Sequence, residues 1–295
     1  MNDPLFHTAP KTVGVIAGRM LIYALLILMV LYFLLPFIVM VLTSLKTMAD
    51  IRTGNLISWP REFTLDAWKT AWGSACIAVE CNGIKVYFWN SVKIVVPAVI
   101  ISTLIGAANG YVFSKWKFWG SEVLFSLLLL GCFIPFQAIL LPMAQTLGKL
   151  GLSQSLAGLI LVHIIYGLAF TTLFFRNDYV TIPDELVKAA RIDGAGFFRI
   201  FWKILLPVST PIFVVSVIWQ TTQIWNDFLF GVVFSAGGNQ PITVALNNLV
   251  NTSTGTKAYN VDMAAAIIAA MPTLLVYIVA GKYFVRGLTA GSVKG

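Results

Sequence analysis

Six nearly uncharged apolar runs divide the chain, at about 20–45, 94–113, 123–143, 156–175, 208–234 and 263–284. Crossing about 30 Å of hydrocarbon at 1.5 Å per residue takes about 20 apolar residues, so each run is long enough to span a bilayer as a helix. Pro135 and Pro142 are expected to kink the third run, which neighbouring helices tolerate. Between the runs the pattern changes. Residues 46–87 mix Trp59, Trp68, Trp72 and Tyr87 with charges and turn formers. Such rings favour headgroup depth, which predicts an ordered cap on one face of the membrane. Residues 235–262 are polar and rich in Gly, Asn and Thr; a contact surface and a flexible loop both fit them.

Residues 183–207, PDELVKAARIDGAGFFRIFWKILLP, are amphipathic rather than apolar throughout. Thr181 is placed to cap a helix that Pro183 opens, and Asp184 and Glu185 suit the positive end of its dipole. Leu186, Ala189, Ala190 and Asp193 recur at i, i+3, i+4 and i+7, giving a stripe of mostly small residues that another surface can approach closely. Gly194 and Gly196 end this helix. Phe197, Phe198, Phe201, Trp202 and Leu205 are then expected to face lipid, with Arg199 and Lys203 snorkelling to headgroups.

Composition agrees with a bilayer protein: 58% of the 295 residues are hydrophobic, 11% are charged and mean hydropathy is +0.85, which excludes an ordinary soluble domain. Of the 20 lysines and arginines, twelve fall in the termini and the loops of one side (Lys11, Arg19, Lys115, Lys117, Arg176, Lys188, Arg191, Arg199, Lys203, Lys282, Arg286, Lys294). Most of the other eight share one segment with Asp50, Glu62, Asp66 and Glu80. Positive loops resist translocation, so six spans should leave both termini cytoplasmic. The net charge of +8 is then the ordinary membrane bias, and no nucleic acid is needed to explain it. The first run is too long for a signal-peptide core and is expected to remain as an anchor. Cys132 reads as a small buried apolar residue. Cys76 and Cys81, in the 46–87 segment, leave two readings open: a disulfide, or two free thiols beside the membrane, since a separation of five is poor geometry on a helix.

Catalytic chemistry is not expected on this chain. No GxxxxGK[ST] occurs, so nothing cradles ATP phosphates, and His7 and His163 are the two histidines, without a ligand cluster around them. His163 reads as packed between helices. Polar residues at membrane depth are costly unless they face a cavity or another helix. Gln220, Thr221, Thr222, Gln223, Asn226 and Asp227 cluster in the fifth run, with Gln137 and Asn109 as weaker cases. Gln220, Thr221, Asn226 and Asp227 are candidates for a translocation path; interhelical hydrogen bonding fits any one of them equally well.

The stretch KAARIDGAGFFRIFWKILLP resembles the EAA loop of ABC importer permeases: Ala189 and Ala190, then Gly194, Ile204, Leu206 and Pro207 at the family's spacing. RIDGA at 191–195 narrows the resemblance to carbohydrate importers of the maltose type. Asn90-Ser91, IPFQAILLPM in the third run, WNDFL in the fifth and the ending GLTAGSVKG agree with it, so it covers nearly the whole chain. The resemblance implies an all-α polytopic membrane protein with six transmembrane helices and the type I ABC importer permease fold. Residues 1–18 would be a cytoplasmic tail and 19–295 the permease domain, with an outer cap at 46–87, a cytoplasmic coupling loop at 176–206 and a tail at 287–295. In the coupling loop, Leu186, Lys188, Ala189, Ala190, Asp193, Gly194 and Ala195 would meet the ATPase; in the tail, Gly291, Ser292 and Lys294 would do so. Lys188 departs from the Glu that names the loop. The implied partners are a second permease subunit in a heterodimer, an ATPase dimer carrying ATP and Mg, a periplasmic sugar-binding protein and the sugar itself. No cofactor is expected on this chain, and the place is the bacterial inner membrane. The region around 89–116 looks most like permeases of glucose or mannose importers, with a disaccharide also open. The alternative from another class is a proton-coupled secondary transporter using Asp227; the coupling loop and the lack of an inverted repeat stand against it.

Overall fold

The computed structural model describes residues 13–251 and 257–290, with side chains over 16–251 and 257–281. Gly291, Ser292 and Lys294 lie outside the described residues. Those described form helices and connecting turns, with one isolated bridge between Ile77 and Glu80. The helices are α1 (Val13–Ser44), α2 (Met48–Thr53), α3 (Asp66–Gly73), α4 (Lys85–Lys115), α5 (Ser121–Phe133), α6 (Phe136–Lys149), α7 (Leu156–Thr181) and α8 (Asp184–Ile192). They continue as α9 (Phe197–Ile200), a π-turn at Phe201–Leu205, α10 (Leu206–Val208), α11 (Thr210–Trp225), α12 (Leu229–Phe234), α13 (Ile242–Asn251) and α14 (Tyr259–Ala290). Among the described residues four helices are long and apolar enough to cross a membrane, and two bent pairs bring the spans up to six if each pair is one span.

The bends have local causes. Pro135 has no N–H and forces Ile134 into the extended region (ψ 122°), so α5 and α6 meet at 104°. Tyr166 Oη donates to the freed Ile134 carbonyl at 3.0 Å. Pro142, also expected to kink this span, lies inside α6 without ending it. The fifth span departs further from expectation: α9 to α10 meets α11 at 81° across Ser209, and helix stops at Trp225 rather than running on to Phe234. At the π-turn the Leu206 N–H donates to the Phe201 carbonyl five residues back. The widened turn takes up one extra residue just before Pro207.

The chain forms two compact units. One comprises, among the described residues, 13–68 and 258–264. Its α1 has an exposed side chain at every position from 16 to 38, as suits a helix surrounded by lipid or by another subunit. After α1, Thr47 Oγ1 accepts from the Asp50 N–H at 3.3 Å, and Asp50 Oδ2 accepts from the Arg61 N–H at 2.9 Å. Lys46 is buried and donates to the Asn55 carbonyl and to Ser58 Oγ, both at 3.1 Å. This part of the segment beyond the first span is therefore held by specific bonds.

The other unit, whose described residues are 69–251, 257 and 265–290, is built on α4 and α7. Their backbones approach closely because Gly106 and Gly110 occupy one face of α4: a Cβ at Gly106 would lie 2.2 Å from Thr171 Oγ1 and one at Gly110 2.6 Å from Phe175 Cβ. Small residues four apart are how membrane helices gain contact where no hydrophobic driving force separates them from lipid. Interhelical bonds reinforce the seam: Thr171 Oγ1 donates to the Ser102 carbonyl at 3.1 Å and Asn109 Nδ2 to Thr172 Oγ1 at 3.3 Å. α11 joins the pair through Gln220 Nε2, which donates to Ser102 Oγ at 2.8 Å. In the same unit Cys76 is bonded to Cys81 in a turn beyond α3, not on a helix, which removes the geometric objection to the pair.

Candidate functional site

Two features of the larger unit can do work: a short exposed helix at one end of α4 and α7, and a cavity between α6, α7 and α11. The helix is α8. Pro183 precedes it without a side-chain cap, and Thr181 Oγ1 donates instead to the Asp178 carbonyl at 2.7 Å. Thr181 therefore closes α7 rather than opening α8. The N-terminal end of α8 is held by Lys115, the last residue of α4, whose Nζ donates to the Ile182 carbonyl at 2.5 Å and to Asp184 Oδ1 at 2.6 Å. That bond lowers the Asp184 pKa below the usual carboxylate value. Asp184 in turn faces the helix dipole favourably.

The other end of α8 is a glycine stop. Gly194 has φ +78°, its N–H donates to the Arg191 carbonyl at 3.0 Å, and the Ala195 N–H donates to the Ala190 carbonyl at 2.8 Å. This is the paired 5→2 and 6→1 pattern of a left-handed cap, which glycine adopts without steric cost. No atom lies within 4 Å of where a Gly194 Cβ would stand, so the residue is required by backbone conformation rather than by crowding.

The stripe read from the sequence divides between two faces. Val187 and Ala190 are buried against Tyr111, Phe175, Tyr179, Ile200, Phe201 and Leu205, whereas Leu186, Lys188, Ala189 and Asp193 are exposed. Ala190 thus seats the helix on its own chain. Ile192 replaces it on the free face and is 87% exposed. The expectation that Phe201 and Leu205 face lipid is also corrected: both are buried, Phe197 stacks on Tyr111 at 4.6 Å, and Phe198 and Trp202 are the rings that remain outside. An amphipathic pattern identifies two faces but not which neighbour covers the apolar one; here the end of α4 and α7 covers it.

The cavity has a volume of about 500 Å³. Rings make much of its wall: Phe170 and Trp219 lie 4.6 Å apart, and Phe136 and Phe230 each stand 5.3 Å from Tyr166. Gln137, His163, Gln220, Gln223, Asn226 and Asp227 add polar groups, and no lysine or arginine lines it. Gln220, Asn226 and Asp227 are thereby brought together. Thr221 is not; it lines an apolar groove with Phe213, Val217, Leu275 and Val279. Asp227 accepts from the N–H groups of Phe230 (3.3 Å) and Gly231 (3.1 Å), fastening the first turn of α12, and its carboxylate is 3.8 Å from His163 Nε2. Gln220 bridges to Ser102 and also borders the cavity. The rings of α7 escaped the sequence reading although His163, Tyr166, Gly167 and Phe170 fall at i, i+3, i+4 and i+7, one helical face. No group of three or more His, Cys, Asp or Glu placed to hold a metal occurs among the described residues.

At the far end of α4, Asn90 Nδ2 donates to the carbonyls of Gly238 (2.6 Å) and Gln240 (3.1 Å), and Ser91 Oγ accepts from the Ile242 N–H at 2.9 Å. The Asn-Ser pair singled out in the sequence therefore ties down the 237–242 loop.

Comparison with known proteins agrees with this architecture. The family model for binding-protein-dependent transport system inner membrane components matches residues 98–289. The chain is 48% identical to a probable ABC transporter permease protein of Pyrococcus horikoshii over 59% of this chain and 63% of that protein. It is 31% identical to the xylose/arabinose import permease protein XacI of Haloferax volcanii over 96% of both. Among solved structures, a chain of a bacterial ABC transporter involved in the import of the acidic polysaccharide alginate superposes with a TM-score of 0.81 at 20% identity, covering 94% of this chain and all of that one. With four to six candidate spans among the described residues, an exposed helix following α7 and a family match over most of its length, the chain belongs to the binding-protein-dependent transport system inner membrane components.

Proposed function

We propose that this chain is one of two permease subunits of a maltose-type sugar importer in a bacterial inner membrane, with both termini cytoplasmic. A separate ATPase dimer binding ATP and Mg docks on α8, and an external binding protein delivers the sugar. The observation that carries the reading is the free face of α8: Leu186, Ala189 and Ile192 are apolar and exposed on a helix anchored at both ends. A soluble partner covering that face is the natural complement. In this reading residues 19–295 are the permease domain, 46–87 the outer cap, 176–206 the coupling loop and 287–295 a tail that reaches the ATPase. Gln220, Asn226 and Asp227 border the path, and the facing rings suit the apolar faces of a sugar while the amides suit its hydroxyls. Xylose/arabinose import and multiple-sugar transport are what named relatives do, which supports a carbohydrate cargo.

The test is uptake by proteoliposomes holding the complete complex. Uptake that needs ATP, the ATPase and the binding protein supports the proposal; uptake driven by a pH gradient through this chain alone replaces it with proton coupling at Asp227. A single cysteine at Ser292, in a chain without native cysteines, should resist impermeant thiol reagents in intact cells.

A further inference from the structure

The end of α4 does more than neighbour α8; it grips it at two points. At the first turn, Lys115 Nζ holds both the Ile182 carbonyl, left without an intrahelical donor where α7 ends, and the Asp184 carboxylate. The Lys115 side chain is only 5% exposed, so its charge is committed to these partners. At the last turn of α8, Arg191 lies over the Trp116 ring at 4.4 Å and donates to the Lys115 carbonyl at 3.4 Å. Between the two points Val187 and Ala190 rest on the cluster that includes Tyr111 of α4. Only a two-residue turn, Ile182-Pro183, joins α8 to α7. The helix that continues its sequence is therefore not the only one that must follow its displacement.

The opposite end of α4 is fastened as well, by Asn90 and Ser91 to the 237–242 loop. At 1.5 Å per residue the helix between the two attachments is on the order of 40 Å long. We propose that Lys115 and Arg191 are positioning residues that lock α8 to α4, making α4 a connecting rod between the ATPase-facing helix and the loop at the other end of the unit. A push on α8 then reaches the 237–242 loop along α4, with α7 and α11 bonded to its flank, and a load on that loop returns to α8 by the same rod. Coupling of this kind is reciprocal.

The proposal rests on the transport function above, and one experiment separates the two. In proteoliposomes holding the complete complex, sugar uptake per ATP hydrolysed is measured for wild type, Lys115→Met with Arg191→Met, Asn90→Leu with Ser91→Ala, and Lys115→Arg. Wild type without ATP-driven uptake refutes the functional reading itself. If wild type transports, releasing either end of the rod should lower the ratio about tenfold or more, a coupling change of ordinary size. Lys115→Arg, which keeps charge and donors, should retain most of the ratio. Should the Met pair fail to assemble, Lys115→Gln, which retains a donor for Ile182 and no charge for Asp184, is read by the same ratio. A ratio within about twofold of wild type in an assembled α8-end variant overturns the proposal.

Discussion

Alanine at Gly110 would place a methyl carbon 2.6 Å from Phe175 Cβ, 2.7 Å from the Arg176 nitrogen and 2.8 Å from the Phe175 carbonyl carbon. Carbon–carbon contacts are comfortable at about 3.5–4.0 Å, so α4 and α7 would have to part by about 1 Å. Two of these atoms are backbone and the third is a Cβ, so no rotamer change relieves the clash. Overpacking of this sort costs about 1–3 kcal/mol. The separation would also stretch the Thr171 bond to the Ser102 carbonyl and the Asn109 bond to Thr172. Against this stands the higher helix propensity of alanine, at most about 1 kcal/mol. Gly131 in α5 supplies the internal control, because no atom lies within 4 Å of its hypothetical Cβ. We expect Gly131→Ala to hold or raise stability in detergent and Gly110→Ala to fall about 1–3 kcal/mol below it, since both gain the propensity of alanine and only Gly110→Ala meets the clash. Circular dichroism through a denaturation series on both variants measures the difference. Equal stability of the two would refute the idea that close backbone approach holds the α4–α7 seam.

Lys115 keeps the Asp184 carboxyl below its usual pKa of 3.8, so its stabilising contribution is present above that value and disappears as pH falls through the lowered one. Asp184→Asn should therefore melt below wild type at neutral pH and converge with it under strongly acid conditions; a constant gap across a pH series of melts would reject a charge-based role. Cys76 and Cys81 should take up alkylating reagent only after reduction, as read by intact mass, and labelling of unreduced protein would show the pair open. Trp219→Ala removes one half of the Phe170–Trp219 wall and should raise the KM for sugar uptake more than it lowers kcat, whereas unchanged KM would place the sugar elsewhere.

Much of this architecture was legible in the sequence because its strongest signals are local. Length and hydropathy mark the spans, and the 183–207 stretch shows its acidic start and its glycine stop. What escaped was set by neighbours. Val187 and Ala190 turn inward because Tyr111 and Tyr179 are there to meet them, and no periodicity on α8 alone distinguishes that face from the one left free. Thr221 carries the same polar signal as Gln220, yet one residue is about 100° of helix, enough to put it in a different groove. The departure at Lys188 fits the exposed position of that side chain, one turn beyond Asp184.

The π-turn at Phe201–Leu205 sets the phase of everything after it. Removing one residue there would restore ordinary helix and leave the hydropathy profile almost untouched, yet it would turn everything beyond by about 100° around the α9–α10 axis, and α11, which leaves that axis at 81°, would be swung bodily. Gln220 and Gln223 would then be carried away from the rings of α7 that complete the cavity wall. The spacing between Gly194 and Pro207 thus acts as a timing element, and a length change in that interval should be tolerated far less well than most substitutions within it.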